Sequence, residues 1–337
     1  MEAYLYKKIG NRNVKCHLCH HWCSINDGDR GICGVRENRQ GTLRTLVYGK
    51  IIARHVDPIE KKPLFHFLPG SRTYSIATVG CNFKCRFCQN ADIAQMPADQ
   101  QGVIVGEPAS PEEEVAAAAA AGCQSIAYTY TEPTVFFEFA HDTAKLAHTR
   151  GIKNIFVTNG YMTPEAVEMI SPFLDAANVD LKAFSDDFYK KMCGARLAPV
   201  LKSLKEMKAR DIFVEVTTLL IPGLNDDPDE LKALAAFIAN DLGVETPWHI
   251  SRFHPTYRLT DRPATPLGSL ITAHDIGKKA GLRYVYTGNV PGQEGENTVC
   301  HRCGRIIINR LGFSISSYDV EGGCCRYCRT PVGGIGM

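Results

Sequence analysis

No apolar run in this 337-residue chain approaches the roughly 20 residues needed to cross a bilayer. The nearest candidate, the alanine-rich stretch 115–121, is short and led by Glu112, Glu113 and Glu114, so no membrane partner is expected. The opening residues Met1 to Lys8 lack the apolar core of a secretory signal, which predicts a cytoplasmic setting. Net charge is also small, +2 from 38 Lys+Arg and 36 Asp+Glu. The basic excess lies at the two ends, with 12 against 6 acidic residues in 1–62 and 5 against 2 in 300–337. It forms no run, and nucleic acid is not expected as a partner. With 45% hydrophobic and 22% charged residues the composition is that of a folded chain, and disorder is excluded.

What the sequence has in quantity is cysteine, 14 residues in all. In a reducing compartment such thiols point to metal rather than disulfides. Twelve fall into three clusters: Cys16, Cys19, Cys23 and Cys33; Cys81, Cys85 and Cys88; and Cys300, Cys303, Cys324, Cys325 and Cys328. Cys123 and Cys193 stand alone. The middle cluster, in Gly80 to Asn90, lacks a fourth thiol. Structural zinc takes four protein ligands, whereas a [4Fe-4S] cubane held by three thiolates keeps one iron open to a ligand that is not protein. The first cluster has four thiols, enough for tetrahedral zinc or for a second iron–sulfur cluster, and the residues do not separate the two. Its interleaved His17, His20 and His21 are expected at the surface. In the tail, Cys300/Cys303 and Cys325/Cys328 form two knuckles 21 residues apart, which predicts a zinc ribbon with Gly304 in the turn and Cys324 as a spare or a substitute ligand.

Between the outer clusters the pattern alternates strand and helix. Apolar runs lie at 74–79, 125–130, 154–158, 177–181, 212–221, 248–253 and 283–286. After the first, their starts are about 25 to 35 residues apart, the length of a βα unit. Ser110, Pro111 and Glu113 read as a helix start with a capping box, and Thr163-Pro164-Glu165 as another. Polar groups recur just past the strands: Thr129 to Glu132, Thr158-Asn159-Gly160, Asp180-Leu181-Lys182, Glu215 to Thr218, and His254. The C-terminal strand ends of a β/α barrel share one mouth, so this recurrence favours a partial or near-complete (β/α) barrel over a doubly wound sheet. The predicted division is an N-terminal metal segment and connector over 1–72, a barrel core over 73–292 and a zinc-ribbon-like module over 293–337.

With these features in place, Cys81-x3-Cys85-x2-Cys88, with Phe87 before the last cysteine, resembles the signature of radical S-adenosylmethionine (SAM) enzymes. Across Cys16 to Cys328, including Tyr128 to Pro133 and Tyr286 to Gly292, the chain is most similar to the AmmeMemoRadiSam system radical SAM enzymes, related to pyruvate formate-lyase activating enzymes. The resemblance implies a [4Fe-4S] cluster on Cys81, Cys85 and Cys88 and cleavage of SAM to a 5′-deoxyadenosyl radical that abstracts hydrogen from a substrate. It implies SAM contacts at Phe87, at Tyr130, Thr131 and Glu132 for the amino group, at Thr158 and Asn159, at Asp180 with Lys182 facing the carboxylate, and at His254 for the ribose. It implies an electron donor such as flavodoxin or ferredoxin, with Amme-type and Memo-type proteins as companions. Competing readings are a capping role for Glu132 before Pro133, a structural Asp180–Lys182 ion pair, a glycyl-radical-enzyme activase, and a noncatalytic zinc-binding interaction protein.

Overall fold

The computed structural model describes residues 1–290 and 295–337, so the end of the Tyr286 to Gly292 motif and the expected boundary at 292/293 lie outside the described residues. At its centre is an eight-stranded sheet. Its strands are β1 (Ala53–Pro58), β2 (Arg72–Ala77), β3 (Ser125–Tyr128), β4 (Lys153–Thr158), β5 (Ala176–Asp180), β6 (Phe213–Leu220), β7 (Trp248–Arg252) and β8 (Val285–Gly288). β2 to β8 are parallel, and β1 pairs antiparallel with β2. Helices α1 (Pro111–Ala120), α2 (Phe137–Thr149), α3 (Pro164–Ile170), α4 (Leu197–Ala209), α5 (Pro228–Phe237) and α6 (Leu267–Lys279) connect the parallel strands in turn. Strand order follows chain order, so right-handed crossovers put every helix on one face. A doubly wound sheet would reverse its order at a switch point. The architecture is a partial β/α barrel, open because no ladder among the described residues joins β1 to β8.

Local chemistry starts the helices where the sequence predicts. The Ser110 side chain accepts from the Glu113 N–H and Glu113 reaches back to the Ser110 N–H, with Pro111 as first helical residue of α1. Thr163 and Asp227 cap α3 and α5 through their side chains without the reciprocal bond, Thr163 accepting from the Ala166 N–H and Asp227 from the Asp229 and Glu230 N–H groups, each before a proline as first helical residue. Outward strand residues such as Ile76, Ile126, Phe156, Val179, Val216 and Trp248 are buried in one core with the helices.

The inner face is more polar, and residues 59–70 fill its floor. This differs from the expected connector: Ala53–Pro58 is the sheet's own edge strand, and the chain then turns inward. Ile59, Leu64 and Phe67 pack against Ala127, Ile155 and Ala176. The plug's backbone is satisfied from the strands, with Asn178 Nδ2 donating to the Pro63 carbonyl at 2.7 Å and the His66 N–H donating to Glu215 at 2.8 Å. Glu215 also takes His249 Nε2 at 2.6 Å.

The tail folds as a three-stranded sheet (Thr298–Val299, Ile306–Leu311, Ser314–Tyr318) against this floor. Buried Arg310 donates to the Phe65 carbonyl at 2.8 Å and to Thr298 at 2.7 Å, and lies 3.8 Å from Glu60. A polar chain continues from Thr298 through the Tyr286 hydroxyl to His66 Nε2, while His66 Nδ1 donates to the Gly333 carbonyl at 2.6 Å. At the other end, buried Arg36 pairs with Glu138 on α2 and holds the N-terminal segment to the barrel. No helix among the described residues is long and apolar enough to cross a membrane.

Burial pushes His66 down to about 4. Its unfolded value is near 6.5, so the unfolded chain binds more protons between the two pH values. The contribution is complete above about pH 6.5 and is lost as pH falls toward 4, about 2 kcal/mol by pH 5. Urea unfolding of His66→Gln should show a smaller fall in stability between pH 7 and pH 5 than the wild-type chain.

Candidate active site

The three-cysteine loop leaves the C-terminal end of β2 and has little secondary structure of its own, so its neighbours shape it. The N–H groups of Lys84 and Arg86 donate to the carbonyls of Cys193 and Met192 at 2.7 and 3.0 Å. Phe83 is buried edge-on to Tyr161 with ring centres 5.0 Å apart, and Gln95 Nε2 donates to its carbonyl at 3.0 Å. Gly80 has φ +104°, and a Cβ there would meet Val35 Cγ1 at 2.6 Å, so the N-terminal segment lies directly against the loop. From the other side, the Arg258 N–H in the segment after β7 donates to the Arg86 carbonyl at 2.9 Å.

The expected site residues divide by what they touch. Glu132 is 2% exposed and accepts from Thr134 N–H and hydroxyl, from the Thr158 hydroxyl at 2.7 Å and from the Asn159 N–H at 2.8 Å. It caps the short helix Pro133–Phe136, the alternative role read from Pro133, and it ties that turn to the end of β4. Burial raises its carboxyl above the usual range. Asn159 passes the constraint on: its Nδ2 donates to Asn82 Oδ1 at 2.7 Å and lies 3.8 Å from Cys81 Sγ. Cys81 Sγ also accepts the Phe83 N–H at 3.3 Å.

Asp180 and Lys182 meet at 2.9 Å, as an (i, i+2) pair leaving a strand should. Their side chains are 35% and 14% exposed, which leaves the pair accessible from the mouth. Burial opposes the Lys182 charge, but Asp180 and Cys85 together raise its pKa. Phe87 is buried beside Phe188, with Lys182 Nζ 5.8 Å from its ring centre. Thr131 donates to the Thr78 carbonyl at 2.8 Å. Tyr130, in a left-handed conformation, turns its hydroxyl down to Asp57. His254 lies exposed just past β7.

Other residues at the site carried no signal in the sequence. Buried Lys62 binds Asp57 at 2.7 Å and lies 4.5 Å from the Tyr130 ring centre. Burial pushes it down to about 8. Cys193 is fully buried, as a lone core cysteine should be, yet its thiol lies against Cys85 and raises the Cys85 pKa. His21, expected at the surface, is half-buried with Nε2 at 2.8 Å from the Asn82 carbonyl.

The outer clusters differ in geometry. The sulfurs of Cys300, Cys303, Cys325 and Cys328 all lie within 4.8 Å of one another, with Cys300–Cys328 at 3.6 Å and Cys303–Cys325 at 3.8 Å. A zinc–sulfur bond near 2.3 Å puts tetrahedral thiolates about 3.8 Å apart, so these residues fit one such ion. Gly304 takes φ +72° in the turn, and half-buried Cys324 stays outside the group. Cys16, Cys19, Cys23 and Cys33 instead line a cavity of about 20 Å³.

The family model for the radical SAM superfamily matches residues 75–238. An uncharacterized protein of Methanocaldococcus jannaschii is 46% identical over 98% of both chains. The pyruvate formate-lyase-activating enzyme of Staphylococcus epidermidis is 23% identical over 66% of this chain and 92% of its own. Among solved structures, Streptococcus suis SuiB bound to S-adenosylmethionine superposes with a TM-score of 0.52 at 13% identity, over 68% of this chain and 53% of its own.

Metal analysis checks the C-terminal site: Cys303→Ala should lose one thiolate-bound metal ion per chain relative to wild type and keep the iron expected elsewhere.

Proposed function

Because this chain belongs to the radical SAM superfamily, we propose that Cys81, Cys85 and Cys88 hold a [4Fe-4S] cluster and that SAM takes the iron left without a thiolate. The observation that carries this reading is the loop itself: three thiols at the end of a parallel strand, beside a mouth lined by polar strand ends. When bound, the cluster supplies one electron that breaks the SAM C5′–S bond, giving methionine and a 5′-deoxyadenosyl radical that takes a hydrogen atom from substrate. The protein binds, orients and excludes water. Lys182, kept charged by Asp180, meets the SAM carboxylate, with Phe87 behind it. Tyr130, Thr131 and Glu132 border the amino group, Glu132 acting chiefly by fixing Thr158 and Asn159. His254 reaches the ribose from the segment after β7, and zinc fills the C-terminal four-thiol site.

The subgroup reading is AmmeMemoRadiSam, with Amme-type and Memo-type companions and a flavodoxin or ferredoxin as electron source. Activation of a glycyl-radical enzyme is the second reading, favoured by the 92% coverage of the activating enzyme from S. epidermidis. It requires a radical to appear on a glycine of a partner protein, which electron paramagnetic resonance distinguishes from hydrogen loss by a small molecule.

Anaerobic, reduced protein incubated with SAM should form 5′-deoxyadenosine, and Cys85→Ala should form none. Lys182→Ala should raise the KM for SAM by about 10- to 100-fold at unchanged iron content, the loss of one charge-assisted hydrogen bond. A protein with full iron that yields no 5′-deoxyadenosine ends this reading.

A further inference from the structure

The N-terminal thiols do not have the single-ion arrangement of the C-terminal ones. Among the described residues, four mutually close sulfurs occur only at Cys300, Cys303, Cys325 and Cys328. Cys16, Cys19, Cys23 and Cys33 stand back around a cavity of about 20 Å³, and unlike the C-terminal thiols they do not bring their sulfurs within 4.8 Å of one another, the approach that one zinc ion needs. The lining also holds two side chains, each 1% exposed, with an unused donor: Arg36 through Nε and Asn82 through Nδ2. Arg36 already donates from Nη1 to Cys16 Sγ at 3.2 Å. A guanidinium in the wall also offsets the negative charge that four thiolates bring.

The cavity touches the surface and the active site at once. Ile32 in its lining is 48% exposed, and Asn82 follows Cys81 in the chain. The geometry points to a second [4Fe-4S] cluster on Cys16, Cys19, Cys23 and Cys33 that relays electrons to the cluster on the Cys81 loop. The relay rests on the loop cluster proposed above. One electron passes from a flavodoxin- or ferredoxin-type carrier to the N-terminal cluster, which is reoxidised as the loop cluster is reduced. No proton moves, and no bond breaks until SAM accepts the electron.

Anaerobic reconstitution with iron and sulfide tests this. The wild-type chain should carry about eight iron and eight sulfide ions, four per cluster. Cys81→Ala/Cys85→Ala/Cys88→Ala should keep half of both and still give the resonance signal of a reduced cluster. Cys16→Ala/Cys19→Ala should also keep half, form 5′-deoxyadenosine with dithionite and lose that activity with flavodoxin. No iron in the loop variant, a second zinc there beyond the one at the C-terminal site, or only four irons in the wild type overturns the second cluster and leaves the loop reading standing. Activity with flavodoxin equal to wild type in the N-terminal variant overturns the relay. Absence of iron from the N-terminal variant, with iron retained in the loop variant, counts against the loop reading instead.

Discussion

The Glu132 carboxylate accepts four hydrogen bonds, two from Thr134 in the short helix that follows it and two from the end of β4, and the order of the mouth descends from it. It fixes the backbone of Asn159, and Asn159 in turn holds the side chain of Asn82 next to Cys81. A loop whose amides must face sulfur cannot satisfy itself through a ladder, so its shape is imposed by strand ends and by the Cys193 carbonyl. A carboxylate this buried is stable only because each oxygen is met by donors. That same saturation makes Glu132 a positioning group more than a ligand.

The barrel interior is divided by height. Below, Glu215, His249, Tyr286, His66, Thr298 and Arg310 form a continuous polar chain that joins plug, sheet and tail. Above it lies the Asp57–Lys62–Tyr130 cluster, where Tyr130 reaches down from the mouth. Two charged layers inside a barrel are costly to bury, and each is offset by pairing within its own level.

Much of the architecture was legible in the sequence. Six βα units and their strand positions follow from apolar runs, and the Ser110 and Thr163 caps follow from side-chain chemistry at helix starts. The plug was not legible, because its partners are remote: Pro63 and Asn178 are 115 positions apart, and His66 and Glu215 are 149 apart. At the site, the cysteine spacing and the Asp180–Lys182 offset are local signals. Asn82 and Cys193 give none, since their importance arises from what the fold sets beside them. His21 was misplaced at the surface for the same reason: nothing near it in sequence announces the Asn82 carbonyl.

The contact between the plug and the tail has a consequence for the timing of biosynthesis. His66 is held by the Gly333 carbonyl, the Leu68 N–H donates to the Ile335 carbonyl and the Ile335 N–H to the His66 carbonyl, although these partners are separated by more than 260 positions. As the chain leaves the ribosome from its N-terminal end, the barrel strands emerge well before the residues that latch the floor. The nascent barrel therefore has an unsecured base until the segment that carries Gly333 and Ile335 has emerged.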